Sequence, residues 1–142
     1  MLLTSLSFAT DARCVLSYEK ADGWLRATWA GYVNPTDALA GATAFLAQAG
    51  PMHCLYLLND NLELEGPWFD SARWLEETWL PQAQRLGLRY VAHVVQADTR
   101  VDILSLRYAP QHLHLLDGLE FQLFHDVATA EEWLRSCQRY TP

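Results

Sequence analysis

The side chains that could carry chemistry are few and scattered. Asn59-Asp60-Asn61 groups two amide carbonyls with a carboxylate, a set able to hold a polar ligand or a hard cation. The same residues are also common in turns, where they bond their own backbone, and that is the commoner reason for finding them together. His93 would serve as a general base only with an acid and a nucleophile at hydrogen-bond distance, and sequence places neither. His112-x-His114 is half of a metal site, and no third ligand follows at a convincing spacing. No serine sits in a G-x-S-x-G context, and no glycine-rich loop resembles a phosphate cradle. No residue is therefore assigned to catalysis, and no metal or cofactor is expected.

Cys14, Cys54 and Cys137 are odd in number and form no C-x-x-C pair, which reads as reduced core thiols in a cytoplasmic protein. The formal charge is −7 and the ten basic residues are dispersed, so there is no footprint for binding nucleic acid. No apolar run reaches the roughly 20 residues needed to span a bilayer. At 142 residues and 51% hydrophobic the chain is read as one domain, over 14–142, preceded by a lead-in or edge segment over 1–13. That segment, MLLTSLSFATDAR, lacks a basic start, and Thr4, Ser5 and Ser7 interrupt its apolar stretch, so it does not read as a signal peptide.

The elements that must position these residues follow from periodicity. CVLSYE (14–19) and WLRATWA (24–30) have strand composition, and Asp22-Gly23 between them is a hairpin signal. In the second strand Leu25, Ala27 and Trp29 alternate with Trp24, Arg26 and Thr28. Asn34-Pro35 starts a helix whose stripe is Ala38, Leu39, Ala42, Phe45, Leu46 and Ala49, and Gly50-Pro51 ends it.

The run from His53 to Leu58 is a central strand, with a loop expected over 59–67. A helix over 67–86 carries Trp68, Ala72, Leu75, Trp79, Ala83 and Leu86 on one stripe, with a kink expected at Pro81. Trp74 lies on its polar side and is a candidate for a self-association or partner surface.

RYVAHVVQ (89–96) is a second central strand. Thr99 and Asp102 open a helix over 100–109, and 111–118 reads as a short turn or loop. LEFQLF (119–124) suits an edge strand. Thr129 and Glu132 cap the last helix, whose core face is Ala130, Trp133, Leu134 and Cys137. The order β-β-α-β-α-β-α-β-α predicts a mostly parallel five-stranded α/β sheet, with right-handed crossovers and one antiparallel hairpin strand. Sequential winding leaves one sheet face to be covered by the N-terminal segment, by 111–118 or by a second subunit. The carboxyl ends of the strands, where α/β folds bind ligands, would gather Tyr32, Asn34, residues 59–61, Gln96, Asp98, Arg100, His125 and Asp126.

The stretches WLRATWAGYVNP (24–35), LYLLNDN (55–61), WLEETWLPQAQRLGLRYVAHVV (74–95) and FQLFHDVATAEEWL (121–134), in this order, resemble the SpoIIAA-like branch of the STAS superfamily. They are most similar to its bacterial STAS/SEC14 domain-containing group. The resemblance spans about residues 14–138 and implies a sequentially wound (βα) sheet and a regulatory, protein-interacting role. Regulatory STAS domains carry an Asp-Ser-Ser-Gly-like turn after the central strand, whose serine is phosphorylated. This chain has Asn59-Asp60-Asn61 there and no hydroxyl side chain until Ser71, so the phospho-switch does not carry over. The expectation is a non-enzymatic interaction domain, a homodimer or a binder of a protein partner. The alternative is a binding module for a small apolar or amphipathic ligand, with its site at Asn59, Asp60 and Asn61 or between the aromatic-rich helices and the sheet.

Overall fold

The computed structural model describes residues 1–8, 11–65, 78–96 and 118–139. The elements are β1 (Leu2–Ser7), β2 (Arg13–Glu19), β3 (Trp24–Gly31), α1 (Pro35–Ala49), β4 (Tyr56–Leu64), α2 (Leu80–Arg85), β5 (Tyr90–Val94), β6 (Glu120–Phe124) and α3 (Val127–Arg139). The six strands form one sheet in sequence order; β1, β2 and β3 are antiparallel, and β3 to β6 are parallel. The sheet thus has six strands where five were expected, because the N-terminal segment pairs with β2 as an edge strand. The expected helix over 100–109 and the 111–117 stretch, with His112 and His114, lie outside the described residues, as do Trp68, Ala72, Trp74 and Leu75.

The hairpin between β2 and β3 turns as its sequence requires. Gly23 takes φ +80°, a region open to glycine, and its N–H bonds the Glu19 carbonyl at 2.7 Å. Asn34 caps α1, its side-chain oxygen accepting from the Asp37 N–H at 2.8 Å, and Pro35 takes the first turn. In the helical segment that leads into β5, one wide π-type turn at residues 78–79 precedes α2, beside Pro81. That is where a proline lacking its N–H should disturb the ladder.

Two cores sandwich the sheet. Leu25, Ala27, Trp29, Leu57, Val91 and Phe121 point to one face, against Ala38, Ala42, Phe45 and Ala49 of α1 and Leu80 and Ala83 of α2. Trp24, Tyr56, Leu58, Ala92 and Val94 point to the other, against Ala130, Leu134 and Cys137 of α3. This explains why β4 and β5 are apolar on both faces. Crossovers of one hand along a sequentially ordered parallel sheet keep α1 and α2 on the same side. The helix after the last strand has no such constraint, and α3 folds back over the opposite face. The second face is therefore covered by α3, where the sequence pointed to the N-terminal segment, 111–118 or another subunit. Trp24, which alternates away from Leu25 and Trp29, is fully buried there.

The start of α3 also differs from expectation. Asp126, three residues before Thr129, is the capping residue: its carboxylate accepts from the Thr129 N–H at 2.7 Å and from the Thr129 hydroxyl at 2.8 Å. Both Asp126-x-x-Thr129 and Thr129-x-x-Glu132 match helix-start patterns, and the earlier one is used.

Candidate functional site

The stretch Asn59-Asp60-Asn61 is part of β4, not of a loop after it. Thr28 pairs with Asp60 and Ala30 with Glu63, so Asn61 and Leu62 together stand opposite Trp29. This is a bulge, a distortion that re-aims side chains. Alternation along the strand divides the three polar residues between the two faces of the sheet.

Asp60 faces the α3 side. One carboxylate oxygen lies 2.9 Å from the Arg26 guanidinium, and the other accepts the Leu62 N–H at 3.1 Å. Both oxygens are engaged in holding the strand and its bulge. Asn59 and Asn61 share the α1 side, where the Asn59 Nδ2 donates to Asn61 Oδ1 at 3.2 Å and to His93 Nδ1 at 2.9 Å. An amide nitrogen only donates, so Nδ1 accepts here. His93 is directly opposite Asn59 in the parallel β4–β5 pair. It is buried, with its ring centroid 5.3 Å from that of Phe121.

Asn59 and His93 lie on the wall of a pocket of about 50 Å³ between this sheet face and helices α1 and α2. All the other described residues around it are apolar or glycine, with Trp29, Phe45, Trp79 and Phe121 supplying aromatic surface. Its shape depends on how closely α1 approaches the sheet. Gly41 faces the Trp29 ring so tightly that a Cβ there would fall 2.2 Å from Trp29 Cη2. Across the mouth, Trp79 donates its indole N–H to the Ala42 carbonyl at 2.7 Å, and its ring centroid is 5.2 Å from that of Phe45. These contacts join α2 to α1.

A second, shallower basin of about 560 Å³ lies at the carboxyl ends of β3 and β4, lined by Asp11, Arg13, Glu63, Glu65 and Gln96. Of the polar side chains lining it, Gln96 is bonded within the fold, as are several at the neighbouring strand ends. Gln96 donates to the Leu62 and Leu64 carbonyls at 2.7 and 3.0 Å, His125 Nδ1–H donates to the Val95 carbonyl at 3.1 Å, and Asn34 and Asp126 cap helices. Tyr32 is exposed, and Asp98 and Arg100 lie outside the described residues.

Among the described residues no group of three or more His, Cys, Asp or Glu side chains could hold a metal ion. None of the three cysteines is in a disulfide among the described residues. Burial pushes the Cys14 thiol up to about 12, and raises Cys54 and Cys137 as well. A thiol so raised stays protonated at neutral pH and is a poor nucleophile.

The pairing of Asn59 with His93 is the part of this site that the sequence did not disclose, although each residue stood out singly. A signal for it exists: Tyr56 and Tyr90 stand opposite each other, and each polar residue follows its tyrosine by three.

No family model matches the chain, and no curated protein matches it. Among solved structures it is similar to an uncharacterised protein of the DUF3478 family with a SpoIIAA-like fold, from Shewanella loihica PV-4. The two are 20% identical, the match covers 87% of this chain and 93% of the other, and the TM-score is 0.57. At that identity the likeness speaks to architecture alone: this chain has a SpoIIAA-like α/β fold. No helix among its described residues is long and apolar enough to cross a membrane.

Proposed function

We propose that the protein is a binding module for a small, mainly apolar ligand, which enters between α1, α2 and the sheet. The observation that carries this is the Asn59–His93 pair, hydrogen-bonded at 2.9 Å on the wall of an otherwise apolar pocket. A core that served packing alone would be more stable with two aliphatic side chains at these positions, since burying polar groups has a cost even when they are paired. Apolar walls with a few convergent polar groups are the usual composition of ligand sites. At about 50 Å³ the pocket takes a short aliphatic end or a small group, and a ring needs it to widen; a cavity of about 150 Å³ accommodates benzene. In this reading the protein performs no reaction.

Native mass spectrometry of protein purified gently from its own source tests the proposal. A mass excess that disappears on denaturation supports it, whereas the bare chain mass under both conditions contradicts it.

Self-association is the second reading, and β1 favours it. Its sequence LLTSLS carries no charged side chain or proline, Leu2 is exposed, and β1 ends the sheet, so a second copy could pair along that edge. A dimer mass that persists on dilution in light scattering would support this reading, and a monomer at all concentrations would end it.

A further inference from the structure

If the pocket binds a ligand, the bonding already present inside it restricts that ligand's chemistry. The Asn59 side chain has two N–H donors and one carbonyl acceptor. Both donors are engaged, one by Asn61 Oδ1 and one by His93 Nδ1. Its Oδ1 accepts no hydrogen bond among the described residues, and Asn59 keeps part of its surface accessible on the pocket wall. The outstanding group that Asn59 presents is thus an acceptor with its lone pairs unused, in apolar surroundings.

We infer that the ligand is an uncharged molecule with an apolar body and a hydrogen-bond donor, a hydroxyl or an N–H, which it gives to Asn59 Oδ1. This rests on the pocket reading above and specifies its ligand class. An ionised carboxylate or a phosphate ester offers only lone pairs, which would meet the lone pairs of Oδ1. None of the described residues lining the pocket is cationic, and an anion buried without a partner is strongly disfavoured. An ether or a hydrocarbon could occupy the apolar space, but would leave Oδ1 cut off from water without a donor.

Three probes sharing one alkyl chain separate the possibilities: hexan-1-ol, 1-methoxyhexane and sodium hexanoate, titrated calorimetrically into the full chain at pH 7. Hexan-1-ol is expected to bind about two- to tenfold more tightly than the ether, the effect of one neutral hydrogen bond, and hexanoate more weakly than either. In Asn59→Leu the preference for alcohol over ether should vanish while the ether still binds. Ether binding equal to alcohol binding, or hexanoate binding as tightly as the alcohol, overturns the inference and leaves the pocket reading standing. Binding of none of the three overturns both. The series on the unaltered protein decides the matter even if Asn59→Leu fails to fold.

Discussion

Asp60 lies 2.9 Å from the Arg26 guanidinium on the face that α3 covers, although its neighbours Asn59 and Asn61 point to the opposite face. Adjacent polar residues thus have separate tasks, and the tasks can be separated experimentally. The Asp60 side chain is 10% exposed and that of Arg26 27%, so the pair is shielded on one side only. Asp60→Asn should lower stability by about 1–3 kcal/mol, the cost of weakening a charged hydrogen-bonded pair, and leave ligand binding unchanged. Urea unfolding alongside the hexan-1-ol titration checks both parts.

Gly41 brings α1 down onto Trp29. Gly41→Ala would ordinarily gain about 1 kcal/mol of helix propensity. Here the added methyl meets the buried indole at 2.2 Å. The expected outcome is a net loss of about 1–3 kcal/mol, typical of overpacking, with a lower urea midpoint. A more stable Gly41→Ala protein would show that α1 is not held at this distance.

Trp24 is fully buried, and its indole N–H has no hydrogen-bond partner among the described residues. The Arg135 guanidinium lies 5.5 Å from the ring centroid. Trp24→Phe removes the unsatisfied donor and keeps an aromatic face for Arg135. It should therefore cost under about 1 kcal/mol, since relief of an unmet donor offsets lost packing. Leu134→Ala in the same cluster should cost about 2–5 kcal/mol, having no such relief. Denaturant midpoints of the two variants make the comparison.

Asp126 links stability to acid pH. The N–H and hydroxyl of Thr129 favour its ionised form and hold its carboxyl below the ordinary value. Its contribution is present in full above the unfolded carboxyl pKa, about 3.9, and is lost as pH falls through the lower folded value. Asp126→Asn should be less stable than the unaltered protein at pH 7, and the gap should shrink at pH 3. Urea midpoints at the two pH values would show it.

Much of the architecture was legible in the residues. The Asp22-Gly23 hairpin, the Asn34-Pro35 start of α1 and the two-sided apolar strands β4 and β5 all follow from local patterns. What was missed has physical reasons. Asn and Asp are poor strand formers, so the residue pattern ends β4 at Leu58. It continues because Asp60 finds Arg26 on β3 and Asn59 finds His93 on β5, partners that only register supplies. LLTSLS alternates too weakly to decide between a loose lead-in and an edge segment, and pairing with β2 makes it the edge strand. The covering of the second face by α3 depends on where a terminal helix folds back, and no periodicity encodes that.

The central claim is that a small ligand sits on the α1–α2 side of the sheet, at Asn59 and His93. Methyl-resolved NMR during hexan-1-ol titration tests it most directly, because the two cores serve as each other's control. Shifts confined to methyls on the pocket wall, Leu57, Leu80 and Val91, are the predicted result. Shifts centred on Leu58, Val94 and Leu134 of the opposite core, or none at all, would contradict it.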